Sequence, residues 1–373
     1  MKKSILVSVL GVLLISAAGC DNANENPNSE LSQQDKTKIE QSKSDQTSIQ
    51  TDEIQFSQKI EKGNLWLSAF NEEFGPILKK KTSVLSATIS SDLLNNTKKT
   101  LAELSSDKNM TLDLSPFKVL ETETDQIKRM QANSKLMSVN TVFSTYLGES
   151  GLNRAKEAFE YMNTLTPALP ELDAVGSDYG KSYTDLYEKM LKLGDYLFIK
   201  ETYRLDDYAQ ANALYDDVKN AYTKLLEEKE KAVDAYENYY QIMHIEELQL
   251  VKKKGLIIRF HIMESLDTVS NSLDLINPDK LDLNVLADVI TKVEAQSVVL
   301  EKAFNDEALM KKENMKISDS STGAYLKTYQ QLLIELKVLE KKAKENKDIT
   351  SSLNTISNNY ESLIRDYNYL ISK

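Results

Sequence analysis

Along most of the chain apolar residues return every three to four positions, the period of an amphipathic helix. From about Glu53, the spacing of Ile54, Phe56, Ile60, Leu65, Phe70 and Phe74 predicts a first helix closed by Gly75-Pro76. Residues 77–104 read as a second helix and 107–116 as a break. Residues 117–146 read as a third helix ending near Gly148 and Gly151, and 152–165 as a fourth closed by Pro167 and Pro170.

Beyond Pro170 the stripes sharpen. Tyr183, Leu186, Tyr187, Met190 and Leu193 share one face, and Gly194 interrupts it near its end. Leu214, Val218, Ala221, Leu225, Glu228, Ala232, Ala235, Tyr239 and Ile242 alternate steps of four and three, with Glu228 as the one polar entry. That is a heptad stripe on a helix of about 45 residues, roughly 65–70 Å at 1.5 Å per residue. Gly255 is placed to break or bend it. A face of Ile257, Phe260, Met263, Leu266, Val269, Leu273 and Ile276 then runs to Asn277-Pro278-Asp279. Leu283, Leu286, Ile290, Val293, Ser297, Leu300 and Phe304 repeat the alternation, and residues 318–323 read as a loop. Tyr325, Tyr329, Leu332, Leu336 and Leu339 form another stripe, and Ile349, Leu353, Ile356, Tyr360, Leu363, Tyr367 and Leu370 the last. No stretch alternates with period two. Such stripes with short connections predict an all-α fold, an elongated antiparallel multi-helix bundle with coiled-coil-like helices.

The N-terminus follows a different pattern. Two lysines precede an unbroken apolar-and-small run that ends in Ala17-Ala18-Gly19-Cys20. A positive start, a short apolar core and a small-residue cleavage site make a secretory signal; the run is shorter than the ~20 residues a spanning helix needs. The chain's only cysteine directly follows Gly19, which resembles the lipobox of bacterial lipoproteins. The resemblance implies a diacylglycerol thioether at Cys20 and cleavage between Gly19 and Cys20. Ala17 departs from the commoner Leu of that motif. Two or more acyl chains hold a protein stably where one does not. The expected organisation is a signal peptide at 1–19, a lipidated N-terminus and disordered tether at 20–52, and a helical domain at 53–373 with a lobe boundary near 166–172. The tether is polar, has no aromatic residue and carries only Leu31, Ile39 and Ile49 as larger aliphatics, too little apolar surface to offset its ordering entropy. The expected location is the extracytoplasmic face of the cell membrane, held by the lipid.

Composition narrows the picture further. Without Cys20 no cysteine remains, so no disulfide framework is available. A net charge of −11 argues against a nucleic-acid partner and leaves tethering to the acyl chains. Catalytic and metal constellations are not found in the sequence. His244 and His261 stand seventeen apart with no HExxH-like spacing, and read as a boundary residue and a packing residue. Asp206-Asp207 and Asp216-Asp217 would lie about 15 Å apart on one helix, too far to share a target; Asp206 and Asp207 read as acids at a helix start. The Lys79–81 and Lys252–254 runs read as solvated helix ends, and Trp66 as core. No metal or cofactor is expected, and no enzymatic activity. The 18 tyrosines read as half-buried helix faces, with a ligand-stacking groove as the alternative.

The YMN at 161–163 and the stretch from Gly194 to Leu226, which carries Tyr203, Asp206, Asp207, Ala209, Ala211, Leu214 and Ala221, resemble the YiiG-like bacterial lipoprotein family, whose shared domain has no assigned function. The chain departs from that pattern at Ala209-Gln210-Ala211, where a basic, glycine-containing stretch is usual. The resemblance implies a helical extracytoplasmic lipoprotein and brings no catalytic residues. The expected role is non-enzymatic binding or structural work in the cell envelope, the partner being another envelope protein. A small-molecule receptor with a pocket between helices is the alternative.

Overall fold

A computed structural model of the chain describes residues 33–82, 92–105, 110–277, 281–315 and 320–371. Among the described residues the fold is all-α, with fourteen α-helices, two π-helical turns and no strand; a single bridge pairs Ser105 with Leu112. The contacts divide the chain into two units. Residues 58–243 form the central unit, and residues up to 57 together with 244–373 form the terminal unit. The division between these units falls within two long helices.

The first described helix, α1 (Gln33–Phe70), takes in residues 33–52 of the stretch expected as a tether, while residues 20–32 lie outside the described residues. No Gly or Pro interrupts residues 33–62, and Gln, Lys and Glu are good helix formers. Within the terminal unit Lys253 bonds Ser48 and Asp52, at 3.0 and 2.7 Å, and Lys254 pairs with Glu53. Polar contacts thus hold a segment that offers little apolar surface.

In the central unit α1 stops at Phe70, and Glu72 turns the chain with φ 63°. Gly75-Pro76 begins α2 (Gly75–Thr82) where the sequence suggested a stop. A proline in the first turn loses no intrahelical bond, because that N–H has no partner there in any case. Glu72 is buried, and its carboxylate accepts from the Leu93 and Leu94 amides at 2.5 and 3.3 Å. It thereby closes the N-terminus of α3 (Leu93–Glu103). The predicted 117–146 helix is split into α4 (Ser115–Thr122) and α5 (Gln126–Thr141), because Asp125 caps the Ile127 and Lys128 amides. A π-helical turn, Val142–Tyr146, follows, then α6 (Glu149–Met162) and α7 (Pro170–Gly194). A second π-helical turn (Asp195–Ile199) and one-turn α8 (Tyr203–Asp206) lead into α9 (Ala211–Lys253).

The core of this unit is aromatic. Trp66 stacks on Phe70 at 5.7 Å, Phe70 meets Tyr179 edge-on at 5.3 Å, and Phe74 meets Phe159 and Tyr183 at 5.4 Å. Tyr179, Tyr183, Tyr187 and Tyr215 are fully buried, so these rings are core and not the half-buried rim the sequence suggested. Lys62 is buried too. Its ammonium donates to the Leu165 and Pro167 carbonyls at 2.8 and 3.1 Å and pairs with Asp173 at 2.7 Å. Asp173 also accepts from Trp66 Nε1 and the Leu169 amide, each at 2.8 Å.

In the terminal unit Gly255, with φ 67°, ends α9. Next come α10 (Ile257–Leu275), α11 (Leu283–Phe304), α12 (Glu307–Lys312), α13 (Ser320–Lys344) and α14 (Thr350–Ile371). The expected 318–323 loop is thus helical from Ser320. α10 packs on α11, α11 on α13, α13 on α14, and α14 back on α10, which closes a four-helix bundle. The stripes of α11 and α13 lie in its core as expected, from Leu286 to Phe304 and from Tyr325 to Leu339. The expected face of α10 is met in part: Met263, Val269 and Ile276 are buried, whereas Phe260, Leu266 and Leu273 are half-buried and Ile258, Ile262, Ser265 and Ser272 lie inside. On α9, Ile242 is 50% exposed and Met243 takes its place inside.

Replacing Asp173 with Asn should leave the Lys62 ammonium buried without its counter-charge and cost the central unit about 2–4 kcal/mol. Denaturant unfolding followed by fluorescence of Trp66, the only tryptophan, checks this. An unchanged midpoint would show that the pair is not what anchors residues 165–173.

Candidate functional site

Gly19 and Cys20 lie outside the described residues. Tyr203, Asp206 and Asp207 sit at the corner between the second π-helical turn and α9. Tyr203 is buried and stacks on Tyr208 with ring centres 4.7 Å apart, while Phe117 meets both rings edge-on. The Tyr196 hydroxyl donates to Asp206 at 2.7 Å, and the Gln210 amide group donates at 3.0 Å. These bonds, with the Ala209 and Gln210 backbone N–H groups, hold the Asp206 carboxyl below its ordinary range. Burial and the same bond push the Tyr196 phenol up to about 12. Asp206 therefore closes α8 and satisfies amides just ahead of α9. Asp207 is exposed, with φ 49°, and turns the chain. The two acids serve different local ends and do not converge on one target. Asp216 and Asp217 are exposed on α9, where Asp216 pairs with Lys219.

The structure brings together a charge cluster in the terminal unit that the sequence did not single out. His244 Nε2 lies 2.7 and 2.8 Å from the two carboxylate oxygens of Asp267 on α10. One turn beyond His244, Glu247 is 6% exposed. Its Oε2 makes no hydrogen bond among the described residues, nor does Arg259 Nε. Burial pushes the Glu247 carboxyl up to about 7, against the pull of His244 and Arg259, and Asp267 adds to the push. Burial disfavours the His244 imidazolium, but Asp267 and Glu247 outweigh it and place the imidazole above its ordinary range. The cluster can therefore hold and release protons near neutral pH. A signal for it existed: Tyr239, Met243, Glu247 and Leu250 succeed one another on the buried side of α9, so Glu247 is a carboxylate on an apolar stripe. Glu228, the polar entry the sequence did flag, is half-buried and pairs with Lys231.

His261 bonds Glu264 at 3.0 Å and so has a partner different from that of His244. Among the described residues no group of three or more His, Cys, Asp or Glu is placed to hold a metal, and no helix is long and apolar enough to cross a membrane. The lysine runs meet acids: Lys80 pairs with Glu61, Lys81 with Glu157 and Lys253 with Asp52.

Two surface features remain. On α5, Ile127, Met130 and Met137 are 68, 71 and 63% exposed, and at 100° per residue they fall within about 80° of arc on one face. Between α10 and α11 runs an open groove of about 440 Å³, lined by Thr268, Asn271, Ser272, Lys292 and Gln296 among others. No protein-family model, curated protein or solved structure matches the chain.

Replacing Asp206 with Ala should lower the unfolding midpoint of the central unit, because a cap and its bonds are lost. Asp207→Gly should be neutral or stabilising, because glycine adopts positive φ without strain. Thermal unfolding of both variants checks this; a large loss with Asp207→Gly would reinstate the acids as a pair.

Proposed function

We propose that the chain is a lipid-anchored lipoprotein on the extracytoplasmic face of the cell membrane, and that it binds another envelope protein without catalysis. The anchor rests on the sequence from Lys2 to Cys20 and its resemblance to the lipobox. The likeness of the 194–226 stretch to the YiiG-like lipoproteins agrees with it. The observation that carries the binding reading is the α5 stripe. Three large aliphatic side chains stand in solvent on one face of a helix whose opposite side, at Leu136 and Val139, is buried. Solvated proteins do not commonly array such residues, and helix faces of this kind are a recurrent way of recognising a partner.

A second reading is favoured by the groove between α10 and α11, where hydroxyls, amides and Lys292 alternate with Leu275, Ala295 and Val299 and would suit a small molecule with both polar and apolar parts. A ligand that binds only the folded state at 100 times its Kd adds about 2.7 kcal/mol, so a thermal-shift screen distinguishes this reading from the first.

A photo-reactive residue at Met130 or Met137, in the anchored full-length chain, should cross-link one dominant envelope protein in cells. Met130→Glu with Met137→Glu should reduce capture at least tenfold with the melting temperature unchanged; equal capture by this variant removes α5 as the binding face. Cys20→Ser should move the chain from the membrane to the soluble fraction, and retention in the membrane would refute the lipid anchor.

A further inference from the structure

The C-terminal end of α9 and the first half of α10 form a hairpin in the terminal unit. Its turn is firmly held. Gly255 supplies the positive φ, its carbonyl accepts from Lys312 at 2.9 Å, and Glu313 closes the start of α10 by accepting from the Ile258 and Arg259 amides at 2.7 and 3.0 Å. From α1, Asp52 and Glu53 pair with Lys253 and Lys254 beside this turn. At the other end His244 pairs with Asp267. Between the two ends lies Glu247, buried and with one oxygen unbonded. A buried polar atom without a partner is uncommon and calls for an explanation.

The groups that act on Glu247 are His244 on its own helix and Arg259 and Asp267 on α10. From α14, Tyr360 lies near Asp267 and bonds Ser270, and its phenol stays neutral throughout the relevant range because burial raises it. With Glu247 protonated and His244 charged, the cluster of His244, Glu247, Arg259 and Asp267 carries a net charge of about +1; once both protons leave it carries about −1, by formal charges. Two carboxylates then share the hairpin with one guanidinium, and the ionic contact at its open end is gone.

We propose that this hairpin is a proton-operated clasp, in which Glu247 and His244 hold α9 against α10 while protonated and let the open end separate when both protons are lost. The sign follows from linkage. Each group binds its proton more tightly in the closed form than in an opened, solvated one. For Glu247 the advantage is complete below its ordinary value of 4.5 and is lost as pH rises to about 7. For His244 it is complete below 6.5 and is lost as pH rises through its raised value. The closed form is therefore favoured at pH 5.5 over pH 8.5.

Amide hydrogen exchange of the full-length chain at these two pH values, corrected for intrinsic exchange, tests the clasp. Protection of peptides within residues 244–267 should fall by at least about tenfold between pH 5.5 and 8.5, a window over which Glu247 alone can supply up to about 30-fold. Peptides within residues 170–194 should hold their protection and so report that the chain remains folded. Glu247→Gln should keep the hairpin protected at pH 8.5, at least about tenfold above wild type. Protection of 244–267 that does not change with pH overturns the proposal, and so does a Glu247→Gln chain that keeps the wild-type pH dependence.

Discussion

A buried tyrosine ring costs least where its hydroxyl finds a partner, and in both units several core tyrosines find one, although the buried Tyr329 hydroxyl makes no hydrogen bond among the described residues. In the central unit the hydroxyls reach for backbone carbonyls, those of Leu101 and Phe70 lying in the last turn of a helix. Tyr215 donates to the Leu101 carbonyl at 2.9 Å, Tyr239 to Lys59 at 2.7 Å, Tyr187 to Gly148 at 3.2 Å and Tyr179 to Phe70 at 3.5 Å. The last carbonyls of a helix lack intrahelical partners, so at Leu101 and Phe70 burying the ring and satisfying the end are one event. In the terminal unit Tyr325 meets the Ser265 hydroxyl at 2.7 Å inside the bundle. A phenylalanine would bury as much ring, but it would not choose between neighbouring positions along a helix. The hydroxyl does, and it specifies how far one helix slides on another.

Rings of this size need space, and small residues supply it. A Cβ at Gly176 would lie 2.5–2.7 Å from Trp66, one at Gly180 2.8 Å from Phe159, and one at Gly194 2.3 Å from Phe143. α7 thus accepts aromatic faces through a row of absent side chains, at a cost in helix propensity of about 1 kcal/mol per glycine. In the four-helix bundle serines play this part: Ser265, Ser272 and Ser297 are buried. Small residues opposite large ones are the ordinary way for layers to interdigitate at the density of a protein interior.

The same devices explain what could be read in advance. On α13 every member of the predicted stripe, Tyr325 to Leu339, is fully buried, because the face is apolar and its period is unbroken. On α10 two of the inward positions are serines, so a reading by hydropathy settled on the next residue along. The break at Glu72 was invisible because a buried carboxylate, whose bonds lie 21 residues ahead, stabilises it. Gly75-Pro76 is a stop or a start depending on the turn before it. Asp206 was legible as an acid near a helix start, while its bond to Tyr196 depends on a corner formed by two left-handed residues, Asp207 and Tyr208. The division at Ser57 and Met243 leaves no mark in composition, because each lies within one uninterrupted helix.

Two buried charges show how partner count separates a fixed structure from a responsive one. Lys62 has two carbonyls and a carboxylate as acceptors, and that carboxylate is itself bonded to an indole and an amide. Every polar group in that network has somewhere to point, so nothing is gained by altering its charge, and the segment from Leu165 to Asp173 is held in place. Glu247 is equally hidden, yet one of its oxygens is unbonded, and Arg259, one of the two cations that act on it, has a nitrogen in the same condition. Leaving a buried carboxylate half-satisfied is costly, and the least costly remedy is a proton. Full satisfaction turns a buried charge into a rivet; partial satisfaction makes its stability a function of pH. The chain places the first kind beside an aromatic core and the second in a helical hairpin whose open end carries the pair of His244 and Asp267.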